Sequence, residues 1–460
     1  MNRVRWILSF ILGSWLCVPT AMGQLAPATS QARLLTLDQA VTQALAANPS
    51  IAASEQSVAA TEAKVDQSWT GFLPQLLLNL SYKRSTMNSP VAPYTDASAL
   101  PESLRKMMGR EEGKSYNNYS AGATLNHNIW DFGRTSGGWK AAQELAAAAR
   151  SDVKTSKEQV RLTTIMAYYS VLGAQEAVAV AAEAVRQMER HVTVAKAQWE
   201  AGARQRIDLT RAQSDLASAK MNLAKARNGD TIARVTLATA MGFSKTPEFR
   251  VERPAAGADP NNAADMDALV RTALQNRPDV RALRARIAAS DRLIGVSRSG
   301  YYPTLGLSAG VNWQGYHLKS GTDGLPYNWF AGVAATWNAL SPLPASAASR
   351  EAEANQRALT ANLQSLELNI GAEVKSAALS VQEAKERLEP VAALITSAEE
   401  TLRLAEGRYE AGAGSIIEVT DAQTVYTQSR LSGIQAEYDV ETARARLQRA
   451  LGSFSGSERE

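Results

Sequence analysis

The residue types that carry out most enzyme chemistry are scarce in this chain and poorly spaced for it. Histidine occurs three times, as His127, His191 and His317, each on a different expected element. A zinc hydrolase needs two histidines on one helix face beside a glutamate, and no such motif is present. Phosphate-cradling glycine loops and serine nucleophile elbows are likewise missing from the sequence. Cys17 is the only cysteine and lies in an apolar N-terminal stretch. Once that stretch is removed, disulfides, thiolate metal sites and cysteine nucleophiles are excluded together. The chain therefore reads as a protein with no catalytic residue, no cofactor and no metal site. It is not expected to be an enzyme. The chemistry left to it is that of fixed charges and of surfaces.

Arg3 and Arg5 precede the mostly apolar residues 6–18, and Ala21-Met22-Gly23 places small residues where a signal peptidase reads. Residues 1–23 are expected to be an export signal, with cleavage before Gln24. Leu16 stands before Cys17 where a lipoprotein signal wants Gly or Ala, so no lipid anchor is expected there. Loss of the signal takes the formal charge from +4 to +2, and so small an excess leaves no footprint for nucleic acid. No later segment reads as an apolar run of about 18 residues, the length a membrane helix needs. An exported chain of this kind is periplasmic, secreted or an outer-membrane β-barrel.

The elements that must position any site are present twice. With a constant shift of 210, Glu200-Ala201-Gly202-Ala203 falls on Glu410-Ala411-Gly412-Ala413. Asp208 falls on Glu418, Thr210 on Thr420, Ala212-Gln213 on Ala422-Gln423, and Gly242 on Gly452. The openings match too: Asn48-Pro49 with Arg277-Pro278, and Leu73-Pro74 with Tyr302-Pro303, both at a shift of 229. The organisation is a first repeat over 24–242, a connector over 243–264, a second repeat over 265–452 and a tail over 453–460. The Pro-, Ala- and Asn-rich connector is expected to stay outside the core.

Each repeat opens with a helix, the first over residues 37–69, and a strand pair follows. In the first, Leu76, Leu78, Leu80 and Tyr82 alternate with Gln75, Asn79 and Ser81. Strands are expected at 75–84 and 119–129, then at 304–313 and 329–338. Period-two alternation over about ten residues, with aromatics near the ends, is the pattern of a tilted transmembrane strand. Helical hairpins follow over 133–242 and 344–452. From Val160 to Trp199 the apolar positions step by 7, 4, 3, 4, 7, 3, 4, 3 and 4, a coiled-coil rhythm. Such a helix is roughly 100 Å long, which no compact domain holds. Pro390 interrupts the second long helix and is expected to bend it or to remove one hydrogen bond.

Four strands cannot close a barrel, and an open sheet edge has no partners in lipid. Copies must therefore share strands: two give eight, with an interior filled by side chains, while three give twelve and room for a lumen. This order of elements, with Asn48-Pro49, Trp130-Asp131-Phe132-Gly133 and Tyr409-Glu410-Ala411-Gly412, resembles the TolC-like outer-membrane efflux proteins across essentially the whole mature chain. The resemblance implies a mainly α fold with transmembrane β. It implies a homotrimer whose 12-stranded outer-membrane barrel, four strands per chain, continues as a long α-helical periplasmic barrel. The implied partners are outer-membrane lipid, a periplasmic adaptor and an inner-membrane transporter of the RND, ABC or MFS type. The cargo would be drugs, other small molecules or secreted polypeptides.

The resemblance also assigns residues. Glu418 and Asp421 fall where the family places acidic rings at the periplasmic entrance, and Asp208 is the repeat partner of Glu418. Tyr409 matches a family aromatic at the same constriction. The tips Ala201-Gly202-Ala203 and Ala411-Gly412-Ala413 are implied adaptor contacts. The chain departs from some members in carrying Gly414 where they have a latching arginine, although Arg204 occupies the equivalent place in the first repeat. The alternative reading, a structural periplasmic coiled coil or an adaptor, calls for one helical hairpin between β-rich modules rather than two hairpins and two strand pairs.

Overall fold

A computed structural model describes residues 33–86, 101–103, 115–245, 247–254, 265–315, 327–338, 340 and 342–456. The expected export signal, His317, most of the loop between the first two long strands and the end of the tail lie outside the described residues. The chain begins with β1 (Arg33–Leu35), α1 (Leu37–Ala47) and α2 (Pro49–Trp69). The single helix expected over 37–69 is thus two. Asn48 is extended, at ψ 123°, because the ring of Pro49 disfavours a helical residue before it. Its side chain then caps α2 by accepting from Ser50 N at 3.0 Å. Next come β2 (Gln75–Thr86), β3 (Ser115–Trp130), α3 (Arg134–Glu200), α4 (Arg206–Ala240) and β4 (Phe249–Val251). The second half repeats the order with α5 (Met266–Asn276), α6 (Pro278–Arg298), β5 (Thr304–Gly315), β6 (Tyr327–Thr336), α7 (Pro342–Glu410) and α8 (Ile416–Ala450).

The four long strands form one antiparallel sheet in the order β2-β3-β5-β6. Its register gathers the alternating apolar positions onto one face. Leu76, Leu78 and Leu80 lie opposite Leu125, Ala123 and Ala121. Those pair onward with Ala309, Val311 and Trp313, which face Ala331, Trp329 and Tyr327. Leu80 is 85% exposed and Trp329 73%, so this greasy face is uncovered in the single chain. The opposite face carries Asn79, Ser81, Ser120, Thr124, Asn126, Ser308 and Asn312. One apolar and one polar face is the division a barrel needs between lipid and lumen.

Asp131 turns the chain from sheet to helix. Its Oδ2 accepts from Asn128 Nδ2 at 2.8 Å, Thr135 N at 2.9 Å and Thr135 Oγ1 at 2.5 Å. Gly133, at φ +89°, occupies the N-cap position of α3 and has no side chain to cap with. Asp131 therefore serves that end from outside the helix. Pro390 leaves α7 continuous: one missing donor in a helix of 69 residues removes one bond without ending the helix.

Halfway along the helices, β1 and β4 pair in parallel, and Tyr168 lies beneath them with no exposed surface. Its hydroxyl lies 2.8 Å from Leu35 O and 2.6 Å from Glu252 O. This corrects the expectation for the connector. Phe249 and Val251 belong to the main core, and Arg234 donates to Phe249 O. Three residues, Phe-Arg-Val, are too few for alternation to show in a sequence. Among the described residues α3 alone contains an 18-residue window long and apolar enough to cross a membrane, which the reading above did not find. Ile165, Tyr168, Val171 and Leu172 of α3 pack in this hub instead.

The two repeats close on themselves in the same way. Asn48 Nδ2 donates to Ala240 O at 2.9 Å, and Arg277 Nη1 reaches the equivalent Ala450 O at 3.4 Å. Gly242, at φ +83°, follows the first hairpin so closely that a Cβ would lie 2.5 Å from Ala47 O. The residue before each repeated proline thus caps the end of its own hairpin.

Candidate functional site at the hairpin tips

Both hairpins turn by the same local chemistry. After α3, Gly202 at φ +72° sends its N–H to Trp199 O, and Ala203 N bonds Gln198 O. After α7, Gly412 at φ +76° and Ala413 repeat these bonds to Tyr409 O and Arg408 O. This is the Schellman closure that a left-handed glycine permits. The small residues Ala201, Gly202, Ala203, Ala411, Gly412 and Ala413 are all exposed at the tips. Ser415 then starts α8 by accepting from Ile417 N at 3.2 Å.

Asp208 and Glu418 lie in the first turns of α4 and α8, where the helix dipole favours acids. Ile416, Val419 and Ala422 of α8 pack with Leu402, Ala405 and Tyr409 of α7. Glu418 and Asp421, three residues apart, are consequently left on the exposed side of α8. They are not equivalent there. Arg408 Nη1 stands 3.7 Å from Glu418 Oε2 and offsets part of its charge. Asp421 has no ion pair among the described residues.

Asp208 belongs instead with Tyr409, which is 3% exposed. Burial, and next the nearby Asp208 charge, push the Tyr409 phenol above its ordinary range, against a smaller opposing pull from Arg204. The Tyr409 hydroxyl is buried with no hydrogen-bond partner among the described residues. Asp208 thus lies close enough to Tyr409 for its charge to act on the phenol.

The site also includes residues to which the sequence reading gave no role. Arg204 Nη2 donates to Gly414 O at 2.9 Å, and its guanidinium lies 5.4 Å from the centre of the Tyr409 ring. Thr420 Oγ1 donates to Asp215 Oδ2 at 2.9 Å. His191 Nε2 lies 3.1 Å from Glu406 Oε1. Each contact joins the α3–α4 hairpin to the α7–α8 hairpin. Only the equivalence of Arg204 with Gly414 pointed to any of them beforehand.

A family described as outer membrane efflux protein matches residues 40–243 and 269–453. The chain belongs to the outer membrane efflux protein family. It is 27% identical over 385 residues to the cobalt-zinc-cadmium resistance protein CzcC of Cupriavidus metallidurans, covering 81% of this chain and 86% of that one. With protein CyaE of Bordetella pertussis it shares 26% identity over 381 residues, 80% of this chain and 78% of the relative. The outer-membrane channel CmeC of Campylobacter jejuni has the same fold, with a TM-score of 0.76 at 16% identity over 96% of this chain and 94% of that one. This outer membrane efflux protein is a channel subunit of the outer membrane with a periplasmic extension. Channels of the family are trimeric, work with periplasmic adaptors and inner-membrane transporters, and are ducts rather than enzymes.

Proposed function

We propose that three copies of this chain close a 12-stranded barrel and a helical duct whose periplasmic end is gated at the tips of α7 and α8. The observation that carries this reading is the open sheet. Its greasy face is uncovered, and its edge strands β2 and β6 have no further partner among the described residues. In lipid those edges need strands from neighbouring copies.

At the entrance, Glu418 and Asp421 form the acidic ring together with Asp208, whose charge also acts on the Tyr409 phenol. Carboxylates repeated by threefold symmetry attract cations and oppose anions in a narrow pore. The exposed Ala-Gly-Ala tips are the adaptor contacts, since side chains this small let another backbone approach closely. The inner-membrane partner is of the RND, ABC or MFS type and selects the cargo, which is a small toxic molecule, a drug or a secreted polypeptide. Two helical hairpins and two strand pairs in one chain disfavour a freestanding coiled coil or an adaptor.

The test is recording from detergent-purified protein in planar bilayers, with mass determination on the same sample. A trimer giving small, cation-preferring openings supports the reading. A soluble monomer without channel activity would sink it.

A further inference from the structure

We propose that Arg204 is the gate-positioning residue of this duct, a brace from the first-repeat tip to the second. The inference rests on the duct reading above and adds which contact keeps the tips together. Its basis is geometric. The guanidinium spans two hairpins, giving one N–H to Gly414 O at 2.9 Å while lying over the Tyr409 ring at 5.4 Å. A planar cation that both donates and stacks is held more firmly than a lone hydrogen bond would hold it.

Position 414 is built to receive this contact. Gly414 N bonds back to Arg408 O at 2.9 Å. A Cβ at 414 would press on Arg408 Cβ and Tyr409 N, both at 3.1 Å. The glycine leaves its carbonyl turned to Arg204, and the latching side chain comes from the other repeat.

Place gives the contact its leverage. The hub at Tyr168 lies about 50 Å from the end of α3 by helical rise. A tie at the far tip resists splaying of the two hairpins better than the same tie nearer the hub. Thr420–Asp215 and His191–Glu406 also join the hairpins. The first lies one to two turns into α8 and the second about one turn before Tyr409, so both act on a shorter arm.

Tyr409 provides the surface against which Arg204 rests. Its hydroxyl has no partner, so the ring rather than the phenol makes the contact. Loss of the ring and loss of the guanidinium should therefore open the gate through the same event.

The experiment is single-channel recording in planar bilayers on wild type, Arg204→Ala, Tyr409→Leu, the double variant and Arg206→Ala. Arg206 carries the same charge two residues away and is exposed. A charge-assisted hydrogen bond in this setting is worth about a tenfold change in an equilibrium. Arg204→Ala is expected to raise the open fraction by that factor or more. Tyr409→Leu should raise it too, and the double variant should open no further than the stronger single. Arg206→Ala should behave as wild type.

If Arg204→Ala gates like wild type, the brace is refuted while the duct stands. Equal opening by Arg206→Ala would assign the effect to tip charge and refute it as well. Additive opening in the double variant would separate the two residues, also against the proposal. Should the alanine variant fail to assemble, Arg204→Gln keeps a donor but neither charge nor stacking and must still open the duct. A wild-type trimer without channel activity would remove the duct reading and this one together.

Discussion

Replacing Asp131 by alanine is expected to unfasten the first turn of α3, where strand β3 gives way to helix. One carboxylate oxygen there takes three hydrogen bonds, from Asn128 Nδ2, Thr135 N and Thr135 Oγ1. The residue is 8% exposed, so water replaces those bonds poorly, and Gly133 supplies no substitute cap. Loss of an N-terminal cap costs about 1–2 kcal/mol, and hydrogen bonds to a charged acceptor about 1.5–3 kcal/mol. Taking about 2 kcal/mol for local opening, the Thr135 amide should exchange roughly 30 times faster. Hydrogen-exchange mass spectrometry on the segment around 131–140 reads this directly, with the α8 segment around 430–440 as an internal reference. Asp131→Asn keeps an acceptor but loses the charge, and about a tenfold acceleration is expected. Burial alone would raise the Asp131 pKa, but the donors from Thr135 and Asn128 outweigh it and hold the group below the ordinary carboxylate range. The contribution is thus complete above about pH 4 and is lost as pH falls through the depressed value. Wild-type protection at Thr135 in the alanine variant would refute the view that Asp131 caps this helix.

Neutralising Glu418 and Asp421 together should change conductance and lower cation preference. Because Arg408 stands beside Glu418, Asp421→Asn alone should lower that preference more than Glu418→Gln alone. Reversal potentials in a salt gradient decide both points, and unchanged selectivity in the double variant would dismiss the ring. Gly242→Ala forces a side chain into left-handed backbone and into Ala47 O at 2.5 Å, costing roughly 2–4 kcal/mol. Gly229→Ala, in open space on an exposed stretch of α4, should gain about 0.5–1 kcal/mol. Opposite shifts in the temperature of trimer dissociation would show this contrast. Burial pushes the Tyr168 phenol up to about 12. Its stabilising share is complete below about pH 10, the ordinary phenol value, and is lost as pH rises towards 12. Tyr168→Phe should flatten that alkaline loss, measured by the helical circular dichroism signal from about pH 9 to about pH 12.5.

How much of this was readable beforehand depended on the range of the signal. The strands at Leu76–Tyr82 and Leu305–Trp313 announce themselves by alternation, and their observed register puts those residues on one face. The break at Asn48-Pro49 is visible as a repeated pair, but it sits inside a longer helical pattern that runs on from residue 37 to residue 69. The strand Phe249–Val251 was hidden because it has three residues and pairs with a segment more than 200 positions away in sequence. At the tips, the glycines and acids could be named from the repeat. The ion pair of Arg408 with Glu418 follows from helix ends meeting across a turn, and the partnerless Tyr409 hydroxyl depends on the packing around it.

By itself the sequence determined what local rules and periodicity control. These are the duplication, the four alternating strands with one greasy face, the paired long helices and the glycines at their turns. Side-chain type repeats along a strand or helix with the geometry of its own backbone, so no distant partner is needed to read it. Tertiary structure alone decided which hairpin touches which. It sent Arg204 across to Gly414 and Tyr409, brought the Asp208 charge near the tyrosine, and left Asp421 exposed with no ion pair among the described residues. Those outcomes depend on how helices of roughly 100 Å rotate and pack against one another, and no local window of sequence contains that information.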